Sequence, residues 1–417
     1  MYWKRTACRA CNYGALNNFG GFKKGSSAEK LIPVFNLGIQ PLSNDFCNET
    51  DEHNGYAPLE VLFCPKCSLA QLSVTVRPDI LYSNYKYVTS PSDMMHLHLE
   101  RLYGELKQRA PNNMRNVLEI GSNDGAYLNM IAVHGHKVCG IDPAENLHPD
   151  TVVSICDVFC DGSADLAKFH LDGLADVVIA RHVFCHVNDW LGFMKSLETV
   201  THKESVIFIE VPYLGDLLEK TQFDTIYFEH TSYLSLKAMA ALLARTQFAL
   251  HEIMDFDIHG GAMGLIIRRK DSGVPINEKT LDRVANENIT EGDWQHFRER
   301  VTKLICELKI TIARAKANEK VGCAYGASAK CTVLMNACGF TRKDIAFVAD
   351  TTKLKWYKFV PGTDIPVVDD GALLRELPDF AVMTAWNYRK EILEKCKSYT
   401  NKGGRFIIPI PEVEIVP

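Results

Sequence analysis

The sequence predicts an α/β protein of three units, a small zinc-binding module followed by two doubly wound α/β domains. Three observations predict it: two Cys-x-x-Cys pairs within the first 70 residues, a strand, glycine turn and helix series opening at Asn116, and a second such series opening at Lys320. A chain of 417 residues also exceeds the roughly 250–300 at which one hydrophobic core stops growing.

The first unit rests on Cys8-x-x-Cys11 and on Cys64-x-x-Cys67 in "VLFCPKCSLAQL", with residues 12–63 between them. Two thiolates spaced by two residues reach one tetrahedral ion from a tight turn, and a second such turn closes the shell with no position left for chemistry. The expected zinc is structural, and Cys47 is a spare. A redox role is the alternative that a Cys-x-x-Cys spacing leaves open. Between the pairs, "LIPVFNLGIQPLSNDF" has apolar runs broken by Gly38 and Pro41, which predicts short strands and turns. This module spans 1–77.

From Asp93 to Arg109 apolar residues recur among charged ones, which predicts an amphipathic linker helix ending before Pro111. "NVLEIGSNDGAYLNMIAVHG" then reads as strand, glycine turn and helix, and "KVCGIDPAEN" as a strand ending at Asp142. The apolar runs "ADVVIARHVF", "SVIFIEVPYL" and "AMGLIIRR" extend this to a parallel or mixed sheet, within a unit spanning 78–272. A charged helix over Trp294–Asn318 leads into "KVGCAYGASAKCTVLMN", "DIAFVADTT", "FAVMTAWN" and "RFIIPIP", the second α/β series, spanning 273–417.

Composition excludes several function classes. The net charge of −5 gives no basic field for nucleic acid or an anionic membrane. No apolar leader and no run of about 18 apolar residues is present, so a cytoplasmic protein, with a monomer as the simplest state, is expected. Fourteen cysteines are too few for a disulfide scaffold in a chain this long.

The turn from Glu119 through Gly121, Asn123, Asp124 and Gly125 lies at the carboxyl end of a strand, where open α/β sheets bind ligands. Asp142, followed by Pro143, comes 21 residues after Gly121 and is placed to grip ribose hydroxyls. The glycine pattern is G-x-x-x-G, and two acids stand where a pyrophosphate would want none. A cationic cofactor suits the site better than NAD does, and S-adenosylmethionine is one. The glycine segment alone has a plainer reading, as a strand-to-helix turn; with Asp142 at the next strand tip it favours the cofactor.

"VLEIGSNDG", "GIDPAEN", "FDTIYFEHTSYLS", the His259-Gly260-Gly261 triplet, the paired Cys-x-x-Cys and "YGASAKCTVLMN" together resemble the sugar C-methyltransferases that modify nucleotide-linked keto-deoxysugars, over essentially the whole chain. The resemblance implies a zinc-binding module, a class I (Rossmann-like) methyltransferase domain and a C-terminal Rossmann-like α/β domain. It implies methyl transfer from S-adenosylmethionine to a carbon beside the ketone of a nucleoside-diphosphate 4-keto-deoxysugar, with dTDP the first candidate.

Such a carbon must lose a proton before it attacks a methyl electrophile, which calls for a base and for donors to the developing enolate. In "FDTIYFEH", His230 is the candidate base, Glu229 its orienting group or a hydroxyl contact, and Tyr227 a donor to the enolate. The resemblance adds His186 and Tyr87 to the pocket, His182 as a cofactor contact, and His259, Gly260, Gly261 and Lys330 on the substrate side, with Lys330 near a phosphate. Taken singly, His186 reads as a helix cap, Tyr87 as core, and Gly326–Lys330 as a scaffold turn. Two departures stand out. The usual HEH triplet is Phe228-Glu229-His230, removing a polar group near the substrate, and the usual Asn-Asn pair is Arg181-His182, which puts the cofactor contact in question. The competing readings are an O-methyltransferase using the same base, a nicotinamide-dependent oxidoreductase or epimerase, and a non-enzymatic zinc-knuckle interaction protein.

Overall fold

Asn116–Ile120 is buried along its whole length and lies beside the central strand of a seven-stranded mixed sheet. From one edge the order is Phe248–Phe256, Ala262–Arg269, Thr201–Pro212, Ala175–Arg181, Asn116–Ile120, Lys137–Ile141 and Ser154–Ile155. Ala262–Arg269 runs antiparallel to both neighbours; the other pairings are parallel. The chain leaves Asn116–Ile120 toward Ser154–Ile155, then returns to Ala175–Arg181 on the other side. This reversal opens a crevice at the carboxyl ends of the two central strands. The computed structural model describes residues 1–15, 30–48, 55–82, 85, 93–258 and 260–417.

The helix Asp93–Arg109 forms where its periodicity predicts, but it is no free linker. Leu99, Leu102 and Leu106 pack with Val117, Val177 and Phe208 in the core on one face of this sheet.

The second α/β domain has a six-stranded sheet ordered Val367–Asp369, Val348–Asp350, Gly322–Tyr325, Phe380–Met383, Arg405–Ile408, Glu414–Val416, parallel except for the last pair. The same reversal occurs beside its first strand, Gly322–Tyr325. The long helix leading into it spans Glu291–Ala317 and buries Trp294, Phe297, Val301, Leu304, Leu308 and Ile312, a stripe at helical spacing. It starts three residues before the first apolar anchor because Thr290 caps it, its N–H and hydroxyl both donating to Asp293 Oδ2 at 2.8 Å.

The N-terminal module carries one ten-residue strand, Ile32–Pro41, where short strands are expected. Gly38 sits at φ 77° in a register shift against Tyr56–Phe63, so a bulge absorbs the glycine without ending the strand. The sheet continues through Ala70–Leu72, and its fourth strand, Ser232–Tyr233, comes from the unit that carries the seven-stranded sheet. No helix among the described residues is long and apolar enough to cross a membrane.

Candidate active site

A cavity of about 960 Å³ lies where the three units meet, lined by Asn44 and Thr75 from the first, Gly121, Asp142 and His230 from the second, and Lys330 from the third.

At the crevice, Gly121 has φ 72°, and a Cβ there would lie 2.1 Å from Val183 Cγ2, so this turn requires glycine. The Asn123 N–H donates to Asp142 Oδ2 and the Ala144 N–H to Asp142 Oδ1, both at 2.9 Å. Asp142 therefore braces the loop while lining the cavity, with acceptor capacity beyond its two backbone bonds. Gly121, Asn123, Asp142, Pro143 and His182 line the cavity; Glu119, Asp124 and Gly125 do not. A Cβ on Gly125 would meet Pro149, 2.8 Å away, so its smallness serves packing and not cofactor approach.

Glu119 points away because Arg181 claims it: the Arg181 guanidinium donates to Glu119 Oε1 at 2.9 and 3.3 Å and lies 4.9 Å over the Tyr127 ring. Burial pushes the Glu119 carboxyl up to about 7 against the pull of Arg181. The Arg181 departure is thus the counter-charge of a buried acid. His182, held at φ 52°, places Nε2 3.0 Å from Glu210 Oε1, while His98 Nε2 lies 2.7 Å from Oε2. Burial opposes the Glu210 charge, but the two histidines prevail and hold its pKa below the usual carboxylate range.

His230 is buried on the cavity wall. Its Nδ1 lies 2.9 Å from the Thr225 carbonyl, an acceptor only, so Nδ1 carries the proton. Nε2 then holds the lone pair and accepts from the Tyr227 hydroxyl at 2.8 Å. Burial, His186 and Lys330 keep this imidazole well below the ordinary histidine range. His186 stacks on Tyr82, with ring centroids 5.9 Å apart, and burial pushes it down to about 3.

Three expectations change here. Glu229 does not orient His230; its Oε1 accepts from Asn44 Nδ2 at 2.8 Å behind the cavity wall, and burial pushes its carboxyl up to about 7. Phe228 is fully buried in the core, so the departure from HEH removes no polar group from the cavity. Gly260 and Gly261 do not line the cavity: a Cβ on Gly260 would meet Trp386 at 2.7 Å, and one on Gly261 would meet Asp216 Oδ2 at 2.0 Å. Tyr87 and His259 lie outside the described residues.

Lys330 lines the cavity with Nζ 5.3 Å over the Trp386 ring; burial lowers its pKa and Asp224 opposes that. Trp386 Nε1 donates to Asp224 Oδ2 at 2.7 Å, and burial pushes the Asp224 carboxyl up to about 6. The turn carrying Lys330 is more than scaffold, since Ser328, Ala329 and Lys355 share the cavity wall. It also repeats the brace at Asp142, with Ala327 and Thr352 N–H groups donating to Asp350. The sequence reading missed Asn44, Lys355 and the loop from Asp157 to Gly162. For the last, the acid closing "SICD" after a short apolar run was the available signal.

The four knuckle sulfurs converge. Cys8 and Cys67 Sγ lie 3.5 Å apart, Cys11 and Cys64 Sγ 3.6 Å apart, and all four within 4.8 Å of one another. Tetrahedral Zn–S bonds of about 2.3 Å place sulfurs about 3.8 Å apart, so the donor set fits a closed structural zinc.

Family models match in three consecutive blocks: a zinc binding domain over residues 25–82, a methyltransferase domain over 95–253, and a C-methyltransferase C-terminal domain over 257–411. C-methyltransferase NovU of Streptomyces niveus is 30% identical over 397 residues, 92% of this chain and 94% of that one. Among solved structures, a SAM dependent methyltransferase from Archaeoglobus fulgidus matches at 16% identity and a TM-score of 0.32, covering 42% of this chain and 94% of that one. Magnesium protoporphyrin IX methyltransferase (ChlM) from Synechocystis PCC 6803 matches at 14% and 0.31, covering 43% and 82%. With a full-length relative, three matching domains, a cavity-lining Asp142 and a four-thiolate cluster, the chain belongs to the C-methyltransferase family and is an S-adenosylmethionine-dependent C-methyltransferase with a structural zinc site.

Proposed function

We propose that the acceptor is the carbon beside the ketone of a nucleoside-diphosphate 4-keto-deoxysugar, and that His230 forms the enolate. The observation that carries this reading is the fixed tautomer of His230: its lone pair is on Nε2, at the wall of a cavity shared with the cofactor loop. S-adenosylmethionine, when bound, supplies an electrophilic methyl carbon.

His230 is neutral at neutral pH, so its lone pair is available once Tyr227 releases it. Lys330 and Lys355 bring cationic groups to the same wall, suited to a diphosphate or to the enolate oxygen. Lys330 is also one of the charges that disfavour a proton on His230. A diphosphate seated beside Lys330 weakens that repulsion, so the base strengthens when its substrate arrives. Asn44, held by Glu229, is placed to meet a sugar hydroxyl.

The test separates proton removal from methyl transfer. With S-adenosylhomocysteine and a panel of keto-deoxysugar nucleotides in deuterated water, the wild-type protein should wash deuterium into one sugar position. His230→Ala should lose exchange and methylation by a factor on the order of 10²–10⁴. Methylation at the wild-type rate in this variant would refute the base, and methylation only of acceptors without a ketone would refute the substrate class.

A further inference from the structure

The turn Phe184–His186 sets a thiol next to an imidazole; His186 and His230 line the cavity, and Cys185 is buried beside them. Cys185 Sγ, one nitrogen of His186 and one of His230 all lie within 4.8 Å of one another. The two rings have centroids 5.2 Å apart and planes tilted by 33°. Nε2 of His186 is buried and has no hydrogen-bond partner among the described residues. One soft sulfur and two imidazole nitrogens are a donor set for zinc, cobalt or nickel, and the cavity provides the open fourth position.

We propose that Cys185, His186 and His230 form a second, transition-metal site, distinct from the four-thiolate knuckle, and that a divalent ion bound there inhibits methyl transfer. The proposal rests on His230 being the base. A metal held by three ligands occupies the lone pair that deprotonates the substrate, so this site is inhibitory where the knuckle is structural. On binding, the Cys185 S–H bond breaks, a thiolate–metal bond forms and the proton leaves to solvent through the cavity, with no change of oxidation state. If His230 ligates through Nε2, it gives up the Tyr227 hydroxyl, and Cys185 gives up a weak contact to the His182 carbonyl at 3.7 Å. Those losses, and one thiolate against four, make the site weaker than the knuckle, so it fills second.

The test uses the full-length enzyme carrying one equivalent of zinc, titrated with cobalt(II). The expected result is a second equivalent bound with a thiolate-to-cobalt charge-transfer band, and loss of methylation in step with it, reversed by a chelator. Cys185→Ser, a residue outside the proposed chemistry, should keep metal-free activity, lose the band and need at least about tenfold more cobalt or zinc for the same inhibition. Cys185→Ala should behave alike if the thiolate is the ligand. Absence of a second equivalent in the wild type, or a second equivalent without the thiolate band, overturns the site and leaves His230 as base untouched. A second equivalent with the band but with undiminished methylation overturns the inhibition and, with it, His230 as the base.

Discussion

Replacing Tyr227 with phenylalanine removes one atom, the oxygen that donates to His230 Nε2 at 2.8 Å. That bond exists only in the neutral imidazole, because a protonated Nε2 has no lone pair to accept it. It therefore favours the neutral ring and lowers the His230 pKa, adding to the depression caused by burial, His186 and Lys330. A net hydrogen bond contributes about 0.5–1.5 kcal/mol, and 1.36 kcal/mol corresponds to one pKa unit. Tyr227→Phe should raise the His230 pKa by about 0.4–1.1 units. The acid limb of kcat/KM should move to higher pH by the same amount, and ring-carbon NMR of His230 should show the same displacement. The plateau rate should drop less than in His230→Ala, since the base remains. An acid limb that stays fixed or moves to lower pH would refute the assigned tautomer and the direction of this hydrogen bond.

Arg181→Met leaves Glu119 buried beside no cation; a loss of about 3–5 kcal/mol is expected in urea unfolding at pH 8, and the double variant with Glu119→Gln should recover much of it. Asp142→Ala should weaken S-adenosylmethionine binding by calorimetry, and should also cost the fold at least about 1.5 kcal/mol, because both carboxylate oxygens hold backbone N–H groups. For His186, held near 3 in the fold against about 6.5 unfolded, the unfolded chain takes up a proton first as pH falls. Stability should then fall with pH from about 6.5 downward, by about 1.4 kcal/mol per unit from this ring, and His186→Asn should remove that slope from denaturant melts run between pH 6.5 and 4.5.

What the sequence made legible is local chemistry. The knuckles are tight turns with fixed spacing, and Gly121 and Asp142 sit at adjacent strand tips, where strand geometry alone fixes their separation. His230 was legible as a titratable group among aromatics. The facing of its neighbours was not: Thr225 to His230 is an irregular turn without period 2 or 3.6, so nothing in the string says that Phe228 enters the core while Tyr227 meets the cavity. The partner of Glu229 is Asn44, 185 residues away, and no adjacency in the chain announces it. The Arg181-His182 pair put the contact at His182 in question and said nothing of Arg181's own partner, because Glu119 lies one strand over. The glycines at 260 and 261 read as substrate contacts, but they are small because Trp386 and Asp216 crowd them.

The strand Ser232–Tyr233 begins two residues after His230 and completes the sheet of the zinc module. The Leu72 N–H donates to the Thr231 carbonyl at 3.0 Å, and the Ser235 hydroxyl to the carbonyl of Cys67, itself a knuckle cysteine. The proposed base is thus stitched to the metal-bearing unit by main-chain bonds on its immediate C-terminal side. Exchanging this N-terminal unit for that of another family member would therefore transplant half of the base's mounting, so chimeras should tolerate the exchange only when Thr231–Ser235 travels with it. Parts that look separable along the chain are, at the reacting centre, a single fitting.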